Sequence, residues 1–83
     1  MMKLYFRNCY GTERLIAECQ TVQEVHKEIK KFLDEHNCKS YYSRSWKEDN
    51  GDIVVDVGSY TEFFIIKDIS FEEYMKSFKF YRE

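Results

Sequence analysis

The chain has 83 residues, which is enough for one domain whose core buries roughly 60% of the unfolded surface. Its formal net charge is −2 with charges of both signs, so it lacks the basic excess that duplex nucleic acid attracts. Proline is absent and aromatic residues make up 18% of the chain, which argues against disorder and indicates that some rings lie at an interface.

Neither a membrane span nor a secretion signal is apparent in the sequence. No apolar run approaches the ~18 residues of a spanning helix, and the start of the chain does not have the pattern of a signal peptide. We therefore expect a cytoplasmic protein without membrane contact. Cys9, Cys19 and Cys38 lack the paired spacing of a zinc site, so we interpret them as reduced, small apolar residues and expect no metal and no cofactor.

The first half of the chain predicts a β-hairpin. Residues 2–10 and 13–19 alternate as strands on either side of Gly11. In the first strand Leu4 and Phe6 share a face. In the second, the same alternation places Leu15, Ala17 and Cys19 on one face and Arg14, Ile16 and Glu18 on the other.

A helix over residues 22–36 follows. Thr21 and Glu24 have the spacing of a capping box, which stabilises the first turn of a helix. The apolar residues that follow fall on one helical face, so we expect this face to be buried against the sheet: Val22, Val25, Ile29, Phe32 and Leu33.

The second half predicts three strands and a short helix. Residues 40–48 and 53–57 flank Asn50-Gly51, a pair typical of a two-residue hairpin turn, and residues 62–67 form a fifth strand. A second capping box at Ser70 opens the C-terminal helix. The chain is thus a single α+β domain over residues 1–83, with the order ββαβββα. It should have an antiparallel sheet of four to five strands, one long helix packed on it and a short C-terminal helix.

The corner between the last two strands is unusually polar for a segment between two apolar runs. Ser59, Tyr60 and Thr61 follow Gly58 directly, and Glu62 comes next. One interpretation is a turn in which Gly58 supplies an unusual φ and the hydroxyls bond local backbone groups. The other is a recognition loop, with Tyr60 as the contact ring and Ser59 and Thr61 as hydrogen-bonding partners.

A second candidate site combines cations with rings on the predicted strands. Its members are Arg7, Arg14, Tyr42, Arg44 and Trp46. On one sheet face they would suit a ligand that carries phosphate or carboxylate beside a flat ring. The alternative is a half-buried structural face in which the arginines pair with carboxylates of the same chain.

Catalysis fits the sequence poorly, and association fits it better. The two histidines and three cysteines are scattered, and there is no phosphate-binding loop or nucleophile motif, so we expect no enzyme. The C-terminal helix carries more rings than one small core needs, with Phe80 and Tyr81 on the flanks of its stripe. We therefore expect a homo-oligomer.

Three segments carry a resemblance to a known group: Met2 to Asn8, Lys39 to Tyr42 and Asp56 to Phe64. There the chain resembles small accessory proteins carried by phages and prophages of Firmicutes, with Tyr60 where that group often has a histidine. Such genes commonly encode inhibitors of host defence. The resemblance therefore implies a non-enzymatic protein that binds and neutralises a defence component in the cytoplasm of the host bacterial cell.

Three forms of this function stay open. The form that we favour from the sequence is a protein–protein inhibitor of a host defence protein, such as an anti-CRISPR protein. The runner-up is a sponge that sequesters a small nucleotide immune signal, and the third form is a structural or regulatory homodimer. A sponge should have a concave pocket with converging arginine side chains at a dimer seam, whereas a protein inhibitor should have a flat or convex patch of exposed rings.

Overall fold

The computed structural model describes residues 1–36, 44–58 and 61–79, with the backbone alone at 77–79. The elements are β1 (Met2–Arg7), β2 (Glu13–Cys19), α1 (Val22–Glu35), β3 (Arg44–Lys47), β4 (Ile53–Asp56), β5 (Phe63–Lys67) and α2 (Phe71–Lys79). This order confirms the predicted ββαβββα arrangement. Within these ranges no helix is long and apolar enough to cross a membrane.

The five strands form one antiparallel sheet in the order β2-β1-β5-β4-β3. The central strand β5 pairs with β1, the first strand of the chain, so this pairing joins distant parts of the sequence. Both helices contribute to a core on one face of the sheet. This core includes Leu4, Val25, Ile29, Val55, Phe64, Ile66 and Tyr74.

The hairpin between β3 and β4 has a three-residue loop, and the expected two-residue turn is wrong. The N–H of Glu48 donates to the carbonyl of Asp52 (2.8 Å), and the N–H of Gly51 donates to the carbonyl of Glu48 (2.9 Å). Gly51 has φ 92°, while Asn50 has a negative φ, so only one loop residue is left-handed. Residues 8–12, between β1 and β2, repeat the same pattern of hydrogen bonds.

A β-bulge interrupts the alternation of β2. Leu4 pairs with Ala17, but the next residue, Tyr5, pairs with Leu15. Ile16 is therefore an extra residue that has no paired residue on β1. The prediction that Leu15 shares a face with Ala17 is therefore wrong. Leu15 is turned to the sheet face away from the helices, where its side chain is 46% exposed.

The same bulge moves Arg14 to the helix side of the sheet. Arg14 lies opposite Phe6, which packs against the core. The expected grouping of Arg14 with Arg7 and Arg44 on one sheet face is thus corrected. A single extra residue in the strand inverts the face of every residue before it.

Helix α1 begins with the predicted capping box. The Thr21 hydroxyl accepts from the N–H of Glu24 (3.1 Å), and a Glu24 carboxylate oxygen accepts from the N–H of Thr21 (3.1 Å). The N-terminal half of the apolar stripe is buried, ending at Ile29 (6% exposed). The expectation of burial is wrong for Phe32 and Leu33, which remain half-buried because a space separates the end of α1 from the sheet.

Helix α2 is fixed to the core through Tyr74, which is fully buried. Its hydroxyl lies 3.3 Å from the Ser45 hydroxyl and 3.5 Å from Nε2 of His26, so it bridges β3 and α1. Burial raises the pKa of Tyr74 and lowers that of His26. The predicted surface rings Phe80 and Tyr81 lie outside the described residues, so the expected homo-oligomer stays a prediction.

Candidate functional site

A pocket of about 590 Å³ opens between the C-terminal half of α1 and the sheet. Three rings form its floor: Phe6 from β1, Phe64 from β5 and Phe32 from α1. The centroid of the Phe32 ring lies 4.8 Å from that of Phe6 and 5.4 Å from that of Phe64. Leu33 and Val57 extend this apolar lining. The volume is within the range of ≈ 300–1,000 Å³ that small-molecule sites occupy.

The rim of this pocket is polar. Five polar residues line it: Asn8 and Thr12 from the β1–β2 loop, Arg14 from β2, His36 at the C-cap of α1 and Glu62 directly before β5. The His36 ring stacks on Phe32, with the two centroids 4.2 Å apart. Its Nδ1 lies 2.9 Å from the carbonyl oxygen of Phe32, which holds the ring at the pocket edge.

Asn8 has two separate roles at the rim. Its side-chain Oδ1 accepts from the backbone N–H groups of Tyr10 (2.9 Å) and Thr12 (3.0 Å), which fixes the β1–β2 loop. Because both donors require an oxygen, the orientation of the amide follows from these contacts. The NH₂ group of Asn8 has no hydrogen bond to any other described residue.

Arg14 is an available cation at the rim. Its side chain is exposed and forms neither a hydrogen bond nor an ion pair with the rest of the described chain. Since it stands opposite Phe6, its guanidinium lies beside the ring floor. Such a fork can bind phosphate or carboxylate through two parallel hydrogen bonds.

Arg7, in contrast, is fully engaged on the other sheet face. Its Nε and Nη2 donate to one Glu13 oxygen (3.1 and 2.8 Å), and Nη1 and Nη2 donate to the two Glu48 oxygens (both 3.1 Å). The hydrogen bond to Glu48 is the main reason that the pKa of Arg7 is raised. Arg7 thus joins β1, β2 and the β3–β4 loop.

Lys67 extends this network across the central strands. Its ammonium lies 3.0 Å from an Asp52 oxygen and 3.4 Å from a Glu13 oxygen, and 5.2 Å from the centroid of the Tyr5 ring. The hydrogen bond to Asp52 is the main cause of a raised pKa at Lys67.

Ile65 is fully buried on this face of the sheet, although both helices pack on the other face.

Arg44 and Trp46 form the part of the basic–aromatic set that the structure brings together. The guanidinium carbon of Arg44 lies 5.3 Å from the centroid of the Trp46 ring, and its Nη2 lies 3.2 Å from Oδ2 of Asp56. Trp46 meets Phe63 edge to face at 6.0 Å. With Arg7 and Arg44 both paired to carboxylates of the chain, this face matches the structural interpretation. Tyr42 lies outside the described residues.

The polar corner has a structural component at its start. Gly58 has φ 102°, and its N–H donates to Oδ1 of Asp56 (2.9 Å). Asp56 is only 4% exposed, so this contact and the ion pair with Arg44 satisfy a buried carboxylate. Thr61 is exposed, whereas Ser59 and Tyr60 lie outside the described residues.

Sequence reasoning missed most of the pocket. Phe32 was interpreted as core, Asn8 as part of a strand and His36 as the end of a helix. One signal was present: a polar corner was predicted directly before the fifth strand, and Glu62 is the residue immediately before β5. Nothing local showed that this corner lies beside the end of β1, because the pairing of β1 with β5 is a long-range contact.

Thiol chemistry and metal binding have no evident centre in the part of the chain that is described. Cys9 is exposed in the β1–β2 loop, and Cys19 is buried, with a pKa raised mainly by that burial. Cys38 lies outside the described residues. Across residues 1–36, 44–58 and 61–79 no group of three His, Cys, Asp or Glu side chains is placed to hold a metal ion.

No family model, curated protein or solved structure matches this chain. Two surfaces of the protein remain as candidate sites: the ring-floored pocket on the helix side of the sheet and the ion-paired face on the other side.

Proposed function

We propose that this protein is a non-enzymatic phage protein that neutralises a bacterial defence component by binding, with the pocket beside α1 as its binding site. The observation that carries this proposal is Arg14, a cation unpaired among the described residues, at the edge of a pocket floored by three phenylalanine rings. An apolar concavity with a few polar groups around it is the usual form of a small-molecule site. The phage context comes from the resemblance at Asp56 to Phe64 and the two other segments.

The concave shape supports the sponge, which sequesters a small nucleotide signal. Rings such as Phe6 and Phe32 accept a flat base, and a guanidinium accepts the phosphate that a nucleotide carries. Sequestration needs only affinity, so the site requires neither a nucleophile nor a general base. On the opposite face, the arginines already have carboxylate partners, which makes that face a weaker candidate for an anion.

A protein–protein inhibitor is the second candidate, and one observation favours it. Tyr10 and Leu15, on the β1–β2 hairpin, are 89% and 46% exposed. An exposed ring and an exposed aliphatic side chain beside an edge strand suit the anchors of a protein interface. Both positions are on the hairpin that also carries Arg14, so each candidate function must be tested by variants that separate them.

A phage-plating assay, in hosts that carry one defence system at a time, makes this separation. We expect Arg14→Gln to abolish the protection of the phage, while Tyr10→Ser and Leu15→Ser retain it. Lys47→Gln is the matched control, since it removes one exposed cation from the opposite edge strand. Circular dichroism verifies that each variant folds.

The opposite result would favour the second candidate function, the protein–protein inhibitor. If the hairpin variants lose protection while Arg14→Gln keeps it, the protein acts as a protein–protein inhibitor. If all of these variants protect the phage fully, neither surface carries the function and the proposal is wrong.

A further inference from the structure

We infer that the pocket takes a nucleotide that ends in a phosphate monoester and prefers it to a cyclic phosphate diester. Asn8, Thr12 and Arg14 bind the three free oxygens of this phosphate, and the base lies on the phenylalanine floor. This inference rests on the proposed function, because it names the class of nucleotide that the same pocket takes. It depends on how many donors the β1–β2 hairpin presents to the pocket.

The helix side of the β1–β2 hairpin carries these three donor side chains next to a ring. Arg14 pairs with Phe6, and the N–H of Asn8 donates to the carbonyl of Thr12 (3.0 Å), so Asn8 and Thr12 also lie opposite each other. All four residues line the pocket. Side chains opposite each other on paired strands are about 5 Å apart, and neighbours on one face of a strand are about 7 Å apart. The three donors are therefore close enough to contact one ligand group.

None of the three donor groups has an acceptor among the residues that the structure describes. The Oδ1 atom of Asn8 is used by its loop, which leaves the NH₂ group. Thr12 enters the hydrogen bonds of the loop through its backbone groups only, so its hydroxyl stays available. With the unpaired guanidinium of Arg14, the hairpin offers one cation and two neutral donors to an acceptor from outside.

The β3–β4 hairpin has the same loop but uses the corresponding positions differently. Glu48 and Asp52 stand where the β1–β2 hairpin has Asn8 and Thr12. Both are carboxylates, and each is paired with a cation of the chain. In the β1–β2 hairpin the same two positions carry donors, and the described chain supplies no acceptor for their side-chain hydrogens. A ligand with several acceptor oxygens would complete the β1–β2 hairpin in the way that the ion pairs complete the other.

A terminal phosphate matches this set of donors. It has three strong acceptor oxygens, of which the fork of Arg14 can bind two in parallel. The third oxygen is then free to accept from Asn8 and Thr12. A diester has only two free oxygens, which the fork already binds, so it gains less from the two neutral donors. Because Thr12 and Arg14 are exposed, the second negative charge of a monoester stays in contact with water.

The rings place the base beside this phosphate. Phe6, Phe32 and Phe64 contact one another on the floor of the pocket. Phe6 lies directly opposite Arg14, so the floor begins where the donors end. Stacking on such rings is tolerant of the base, because every nucleobase has a π-face. The pocket therefore recognises the phosphate and accepts different bases.

Isothermal titration of the full chain in a phosphate-free buffer tests this inference. 5′-AMP and 3′,5′-cyclic AMP share the base and the ribose, and they differ in having three or two free phosphate oxygens. 5′-AMP should bind about ten-fold more tightly than 3′,5′-cyclic AMP, and adenosine should bind weakest. 5′-GMP should bind within about three-fold of 5′-AMP, because the floor does not select the base. These comparisons use the unaltered protein and do not depend on any variant folding.

Two variants remove one donor each and leave the loop intact. Thr12→Val keeps the branched shape of the side chain, and Asn8→Asp keeps the oxygen to which the loop N–H groups donate. Each should weaken 5′-AMP several-fold and 3′,5′-cyclic AMP less, so the ratio of the two affinities falls. Asn50→Asp is the matched control, since it adds the same charge to the loop of the other hairpin and should leave binding unchanged.

The outcomes separate this inference from the proposed function. If 3′,5′-cyclic AMP binds the unaltered protein as tightly as 5′-AMP does, the assignment to a terminal phosphate is overturned. Phenyl phosphate that binds more tightly than 5′-AMP overturns the assignment to a nucleotide, as does absence of 5′-AMP binding at millimolar concentration. Unchanged 5′-AMP affinity in both Thr12→Val and Asn8→Asp overturns the role of the hairpin donors. In each case the proposed function still stands if Arg14→Gln abolishes phage protection, and it falls if that variant protects fully.

Discussion

Arg14 and Ala17 lie on the same side of β2, although three positions separate them and a regular strand would place them on opposite faces. The extra residue Ile16 between Ala17 and Leu15 accounts for this arrangement. As a result, Arg14 lines the ring-floored pocket and does not join the ion pairs of the other face. The candidate site therefore depends on a local irregularity of one edge strand.

The core and the pocket lining of α1 should differ in their effect on stability. Ile29→Ala removes a buried side chain and should lower the free energy of unfolding by roughly 2–4 kcal/mol. Leu33→Ala, one turn further along, should cost less than half as much because Leu33 is half-buried at the pocket. Urea denaturation of the two variants measures both values. Equal losses would mean that α1 packs on the sheet along its whole length.

The loop between β3 and β4 should be sensitive at one position only. Gly51 has φ 92° and open space around it, so a side chain there meets backbone strain and no clash. Gly51→Val should cost about 1 kcal/mol more than Gly51→Asn, since asparagine tolerates the left-handed region.

Asn50→Ala distinguishes this loop from a two-residue turn. This change should lower the free energy of unfolding by only a few tenths of a kcal/mol. Asn50 has a negative φ, and the hydrogen bonds of its side chain are exposed to solvent. Thermal melts of the three variants provide the comparison. A loss at Asn50 as large as the loss at Gly51→Val would favour the two-residue turn.

Arg7 should contribute to stability through the two carboxylates that it joins. In Arg7→Met, Glu13 and Glu48 lose their shared cation, and we expect a loss on the order of 1 kcal/mol at low salt. Added salt should recover part of that loss because it screens the remaining repulsion. Adding Glu48→Gln to Arg7→Met should also recover part of it.

Chemical denaturation at low and high ionic strength measures the effect of Arg7. Lys47→Met is the matched control, since it replaces an exposed cation on the same sheet. An Arg7→Met variant as stable as the unaltered protein at low salt would contradict the structural role assigned to this residue.

His26 should make stability depend on pH in a known direction. Burial lowers its pKa below the ordinary value of 6.5, so the unfolded chain takes up a proton more readily than the folded one. The stabilising contribution of neutral His26 is therefore complete above that ordinary value and is lost as the pH falls through the lowered pKa.

Melting temperatures at about pH 7.5 and about pH 5.5 test this dependence on the histidine. Between the higher and the lower pH, the melting temperature of His26→Gln should decrease less than that of the unaltered protein. His36→Gln, which retains His26, is the matched control for the loss of an imidazole. An unchanged decrease in His26→Gln would assign the pH dependence to other groups.

Much of the fold follows from local patterns in the sequence. The capping box at Thr21, the alternation of β1 and the apolar stripe of α1 each reflect interactions within a few residues, and these are the elements that the structure confirms. The turn at Asn50-Gly51 was placed correctly but given the wrong type, since the dipeptide suits both loops and only the strand pairing decides between them.

The candidate site was harder to predict because it depends on contacts between distant segments. Nothing in the residues around Ile16 indicates a bulge, so Arg14 was placed on the wrong face. The pairing of β1 with β5 brings Asn8 and Glu62 together over more than half of the chain length. Phe32 has the spacing of a core residue. It belongs to the pocket floor only because the end of α1 is separated from the sheet.

The central claim is that the pocket beside α1, and not the ion-paired face, is the binding site. Chemical-shift mapping by NMR during a titration with a mixture of nucleoside 5′-monophosphates tests it most directly, because both faces are observed in one experiment. We predict saturable shifts at Phe6, Arg14 and Phe32, while the indole of Trp46, the single tryptophan of the chain, stays unchanged on the opposite face. Saturable shifts at Trp46, with unchanged shifts at the pocket residues, would contradict the claim.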